Sequence, residues 1–112
     1  MSKSPTITEI GAPEDWLPNE HAGEILHSEF MEPLALTTIE LAEKLDMPVA
    51  RLSAIIEGRS PVDAETDLRL GRYFGMSEGF FLRLQNGYDL LEAKRALWPD
   101  IMQVQPRVQH AA

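Results

Sequence analysis

His21, Glu24 and His27 stand three residues apart, a spacing that places imidazole and carboxylate donors along one helix and that could be drawn as a metal site. The chain has no cysteine, which removes thiolate ligands, a thiol nucleophile and any disulfide framework. No convergent fourth ligand can be identified, and tetrahedral sites need one. The plainer role for His21 is at the N-terminal cap of a helix. Glu14 and Asp15 form a carboxylate pair, the raw material of general acid–base work, but they fall in a stretch that reads as loop, with no pocket implied. Neither cluster makes a catalytic centre and no cofactor is implied; the expectation is a protein that is not an enzyme.

The remaining chemistry is that of charge. A formal net charge of −8 argues at first sight against nucleic acid, whose phosphates need Lys and Arg. Its distribution changes that reading. Residues 1–36 carry one lysine against seven carboxylates, −6; residues 37–76 carry −2; residues 77–112 are neutral. A partner of the N-terminal third should therefore be basic, unless the charge serves solubility alone.

At 112 residues the chain suits one domain with a single modest core. Its 44% apolar and 25% charged content is that of a globular protein. Residues 1–10 lack an apolar run of signal-peptide length, and no stretch approaches the roughly 20 apolar residues of a membrane span. The expected compartment is the cytoplasm, with no membrane partner.

The elements that must position these charges follow from periodicity. Residues 1–20, with Pro5, Pro13, Pro18 and Gly11, read as an extended acidic arm with a short strand over residues 6–10. From Glu20, Ile25, Leu26, Phe30 and Leu34 recur at helical spacing, and Pro33 should end that helix. Thr37 with Glu40 forms a capping box for a second helix to about Asp46, with Leu41, Ala42 and Leu45 inward. Pro48 suits the first turn of a third, with Leu52, Ile55 and Ile56 inward and Gly58 as its stop. Asp63 caps a fourth helix, carrying Leu70, Tyr73 and Phe74 and stopped by Gly75. Ser77 caps a fifth from Glu78; Gly87 should break or kink it and Pro99 should end it. The sequence thus reads as all-α, five or six helices over residues 21–98, with a frayed tail over residues 99–112.

Residues 37–59, TTIELAEKLDMPVARLSAIIEGR, hold two short helices joined by a tight connection around Asp46 and Val49. Ala42 is the small residue needed where two helices cross closely. This is the spacing of a helix-turn-helix, whose second helix enters a major groove about 12 Å wide. An ordinary helical hairpin within a small bundle would have the same periodicity.

The stretch resembles the Cro/C1-type (XRE) helix-turn-helix of phage repressors, the lambda-repressor-like fold. A longer match, HAGEILHSEFMEPLALT from His21, LAEKLDMPVARLSAIIEGR, and DAETDLRLGRYFGMSEGFFLRLQNGYDL to Leu90, resembles the HigA (VapI-like) antitoxin family over about 70 residues in one register. That resemblance implies a homodimer that binds operator DNA in the promoter of its own operon and neutralises a RelE-like, mRNA-cleaving HigB toxin. The chain departs from the family pattern at Ala22, usually Pro; at Asp46, often Gly; at Ser60, often basic; and at Phe81, commonly Trp. Asp46 and Ser60 remove or oppose positive charge near DNA.

In this motif the exposed first half of the third helix meets base edges, which assigns Val49, Ala50, Arg51, Ser53 and Ala54. Arg51 suits guanine or phosphate, the apolar three suit thymine methyls, and Ser53 is adaptable. Thr37 and Thr38, at the amides opening the second helix, suit a phosphate; Arg59, and less directly Lys44, suit the flanking backbone. Arg69 and Arg72 are expected to pair internally with Asp67, Glu65 or Glu40. Apolar residues spread around the axis of residues 80–98, more than one buried face requires. They imply a twofold interface through Phe80, Phe81, Leu84, Tyr88 and Leu91, or a following helix that folds back over them. The functional expectation is an autorepressing antitoxin. The alternatives are a stand-alone repressor and a helix-turn-helix interaction module without DNA binding.

Overall fold

The computed structural model describes residues 19–107, and among these every regular element is helical. The elements are α1 (Ala22–Ile25), α2 (Thr38–Leu45), α3 (Val49–Ile56), α4 (Ala64–Phe74) and α5 (Phe80–Met102). The first helix does not stop at Ile25. It widens into a π-helical segment, Leu26–Met31, and closes with a 3-10 turn, Glu32–Leu34, that contains Pro33. The chain then turns at Ala35 in the left-handed region, φ 55°.

Local chemistry sets most of the boundaries. At α1 the Glu24 amide donates to His21 Nδ1 while the His21 amide donates to the Glu24 carboxylate, both at 3.2 Å. His21 is therefore a cap, as its position suggested, and His27 turns instead toward Glu32, 3.4 Å away. Thr37 and Glu40 make the same reciprocal pair at α2. Asp63 accepts the Thr66 amide at 2.9 Å and opens α4. Gly58 and Gly75 take positive φ just past α3 and α4, where residues with a Cβ are disfavoured.

One core joins all five helices. Leu26, Met31, Leu41, Leu52, Leu70 and Phe81 are buried to 1% exposure or less, so the first helix with its π segment and each of α2 to α5 supply at least one anchor. Phe30 packs against Phe74 and Phe81 with ring centroids 5.1 Å apart, at angles that avoid face-to-face stacking. Where α1 crosses α3, a Cβ on Gly23 would lie 1.9 Å from the Ile55 carbonyl oxygen, so only glycine permits that approach.

Three expected boundaries are overturned, all on α5. Its N-cap is Gly79, φ 88°, rather than Ser77. A side chain from another helix replaces a local cap: the buried Asp67 carboxylate accepts the amides of Gly79, Phe81 and Leu82 at 2.7, 2.8 and 3.1 Å. Gly87 does not break the helix, which runs unbroken through it; one glycine costs a helix only about 1 kcal/mol. Pro99 does not end it either: the helix continues to Met102, although proline removes the i−4 hydrogen bond at that position and crowds the carbonyl of Arg95. No helix among the described residues is long and apolar enough to cross a membrane. The expected strand over residues 6–10 lies outside the described residues, as does the arm as far as residue 18.

Candidate nucleic-acid interface

The α2–α3 hairpin is the unit that could meet DNA. Its connection is three residues, Asp46 to Pro48, and begins with Asp46 in the left-handed region, φ 55°. Glycine fits that conformation without strain, and Asp is among the few other residues that tolerate it. Arg69 of α4 reinforces the bend: its Nη1 donates to the carbonyls of Leu45 and Asp46, at 2.9 and 3.4 Å. A cation there satisfies the open carbonyls at the end of α2 and complements its dipole.

Val49, Ala50, Arg51 and Ser53 lie along the outer side of α3, while Leu52 and Ile55 anchor its inner side. Val49 is 41% exposed, Ala50 is exposed, and Arg51 and Ser53 are half-buried. Ala54 departs from the expectation. It is buried at 8% exposure, and its carbonyl accepts the amides of Arg59 and Ser60. One methyl group facing inward cannot touch a thymine, so Ala54 leaves the reading surface.

Arg51 is also not a bare cation. Its Nη2 meets Asp63 at 2.8 Å and its Nη1 meets Glu65 at 3.4 Å. The hydrogen bond to Asp63 raises the guanidinium above its already high pKa. Thr66, together with Arg51, holds Asp63 below the usual carboxylate range. Glu65 reaches the Nε of Arg69 with its other oxygen, at 3.0 Å, the internal pairing expected for Arg69. Arg59 is exposed and pairs with Glu57 at 2.7 Å. The face thus sets Arg51, Arg59 and Arg69 against Glu57, Asp63 and Glu65, charge for charge.

At the start of α2, Thr37 is exposed and Thr38 half-buried. The Glu40 amide is taken by the Thr37 hydroxyl, and the Glu40 carboxylate accepts the Thr37 amide. That backbone hydrogen bond, with the Thr37 hydroxyl and nearby Lys44, lowers the Glu40 pKa. An ionised carboxylate at this helix end opposes a phosphate, which weakens the role expected of Thr37 and Thr38.

The expected dimer residues divide in the same way. Phe81 is fully buried among Phe30, Phe74 and Phe80, which excludes it from any interface. Phe80 and Leu84 are half-buried against the core. Tyr88 packs edge-on to His21, 5.9 Å between centroids, and Leu91 is half-buried. The apolar side chains that do face outward on α5 lie further along it: Leu90, Leu97, Ile101 and Met102.

No local signal in the sequence points to Asp67, Asp63 and Glu65 in these roles. The carboxylates that meet Arg51 are 12 and 14 residues away, beyond any helical spacing. Asp67, expected to pair with an arginine, accepts backbone amides instead. Among the described residues no group of three or more His, Asp or Glu side chains is placed to hold a metal.

No family model matches the chain. Over 86 residues it is 36% identical to virulence-associated protein I of Dichelobacter nodosus, covering 77% of this chain and 80% of that one. The solved structure described as Pseudomonas aeruginosa antitoxin HigA with higBA promoter superposes with a TM-score of 0.75 at 30% identity, over 81% of this chain and all of that one. An addiction module antidote protein of the HigA family from Coxiella burnetii superposes with a TM-score of 0.76 at 34% identity, again over 81% of this chain and all of that one. The matches cover about four fifths of this chain, far more than the α2–α3 hairpin. The chain belongs to the HigA (VapI-like) antitoxin family of Cro/C1-type helix-turn-helix proteins.

Proposed function

We propose that this protein is a DNA-binding autorepressor and the antitoxin of a toxin–antitoxin pair, acting in the cytoplasm as a homodimer. The observation that carries the DNA half is the outer side of α3, where Val49, Ala50, Arg51 and Ser53 stand clear of the core on a hairpin that family relatives share. Arg51 reads a guanine, the apolar residues meet thymine methyls, and Arg59 supports the flanking backbone. Replacing Arg51 by alanine should weaken binding to the duplex upstream of the chain's own reading frame by about 10- to 100-fold, the value of one bidentate base contact. Unchanged affinity would assign the reading to other residues.

Dimerisation suits the same purpose, since two half-sites one helical turn apart need two reading helices. The outward apolar residues of α5, Leu90, Leu97, Ile101 and Met102, with Leu91 and Tyr88 beside them, support an interface on its C-terminal half. The partner toxin is a basic, RelE-like ribonuclease captured by the acidic N-terminal third, for which the support is the −6 carried by residues 1–36. Asn19 donates to the Tyr88 carbonyl and the Glu92 carboxylate, so a fair truncation removes residues 1–18 and keeps this contact. That truncation removes Glu9, Glu14 and Asp15 with Lys3, a net −2 of the −6, and should slow capture of a basic, RelE-like toxin while leaving operator binding intact. Equal capture rates would place the toxin on the helical body.

One observation favours a second reading, an interaction module without DNA binding: each of Arg51, Arg59 and Arg69 already meets a carboxylate of its own face.

A further inference from the structure

Arg51 sits on the outer side of α3, yet two carboxylates from the start of α4 flank its guanidinium. Asp63 is fixed in turn by its role as the α4 cap, and Glu65 by its hydrogen bond to Arg69. The arrangement is therefore a built clamp rather than one pair of free side chains. Resting on the DNA-binding reading above, we propose that Asp63 and Glu65 are specificity-determining residues, which restrict Arg51 to a neutral base edge and deny it to phosphate.

A guanidinium carries five N–H donors. Asp63 engages Nη2 and Glu65 engages Nη1, one hydrogen bond each, which leaves three N–H groups for another acceptor. The O6 and N7 atoms of guanine are neutral acceptors and can be met with both carboxylates in place. A phosphate brings a further negative charge beside two carboxylates already within 3.4 Å of the guanidinium, and that repulsion cancels the attraction Arg51 would offer. Binding to DNA of arbitrary sequence is almost wholly phosphate attraction. The clamp therefore lowers affinity for wrong sequences more than affinity for the right one. It also narrows the orientations of a side chain that would otherwise be disordered before docking, which lowers the ordering cost of a base contact. A protein with net charge −8 gains discrimination in this way without gaining positive charge.

Two substitutions test this on the full chain. Asp63→Asn keeps a competent N-cap, since Asn and Asp are equivalent there. Glu65→Gln touches no cap at all and covers the case in which the first variant folds poorly. The probes are the duplex upstream of the chain's own reading frame and a shuffled duplex of the same composition, titrated over a range of salt. Each variant should bind the shuffled duplex about three- to tenfold more tightly, with operator affinity changing less, so that the operator-to-shuffled ratio falls. The double variant should steepen the slope of log K against log salt by about one, the signature of one further phosphate contact. A ratio unchanged in both variants would overturn the proposal and leave the clamp as an exposed ion pair of little worth. A parent protein that binds the two duplexes equally would overturn the operator reading itself, and the clamp with it; the parent's ratio is measured first and separates the two failures.

Discussion

Asp63 and Asp67 lie one turn apart on α4 and do the same elementary thing, accepting backbone amides at the start of a helix. Their surroundings make them different residues. Asp63 caps its own helix, remains exposed, and uses its second oxygen for Arg51. Asp67 is 1% exposed and caps α5, a helix whose own N-cap, Gly79, has no side chain. A carboxylate that caps locally leaves an oxygen for a surface partner. One that caps across the fold is consumed by it, and it ties the hairpin-bearing half of the molecule to α5.

That contrast can be broken by substitution. Asp67→Ala should cause the largest loss, about 3 kcal/mol or more, because three amides at the buried start of α5 lose their shared acceptor. In a urea titration the midpoint should fall with the slope preserved. Asp63→Ala should cost about 1 kcal/mol, the value of an N-cap, whereas Asp63→Asn should stay within about 0.5 kcal/mol of the parent. If the two positions respond alike, the division between them is wrong.

Acid sharpens the same comparison. Asp63 and Glu40 have pKa values depressed by their caps, so each contributes stability that is fully present above the ordinary carboxylate range, about pH 4. That contribution is lost as the pH falls below this range toward the depressed folded values. The stability difference between the parent and Glu40→Gln should therefore shrink on acidification, measured by thermal melts across pH 3 to 7. The smallest effect lies on α5. Gly87 stands in a continuous helix with open space around it, so Gly87→Ala should stabilise by about 0.5–1 kcal/mol. A loss of stability would show that the backbone at residue 87 needs the freedom of glycine.

Local signals in the sequence were sufficient for local structure. The His21 cap, the capping pair of Thr37 with Glu40, the Asp63 cap, the stops at Gly58 and Gly75, and the core residues Leu41, Ala42, Leu45, Leu52 and Leu70 all follow from spacing within one or two turns. What spacing cannot contain is the chemistry of residues brought together by the fold. Gly79 could open α5 only because Asp67 supplies the missing acceptor from another helix. Ala54 looked outward by position, but the turn after α3 folds back over it. Phe81 looked like surplus surface until Phe30 and Phe74 covered it. Arg51 was legible as an outward arginine, and its carboxylate partners were not.

The central claim is that the outer side of α3 reads DNA sequence, and a fluorescence anisotropy titration tests it most directly. The full chain is titrated against the duplex upstream of its reading frame and against the same bases shuffled, at one fixed salt concentration. The account predicts two chains per operator duplex and an affinity for it at least about 1,000-fold tighter than for the shuffled one, the lower end of specific recognition. Equal affinity for the two duplexes, or no binding to either, would contradict it and leave the charge-balanced face as a surface for protein.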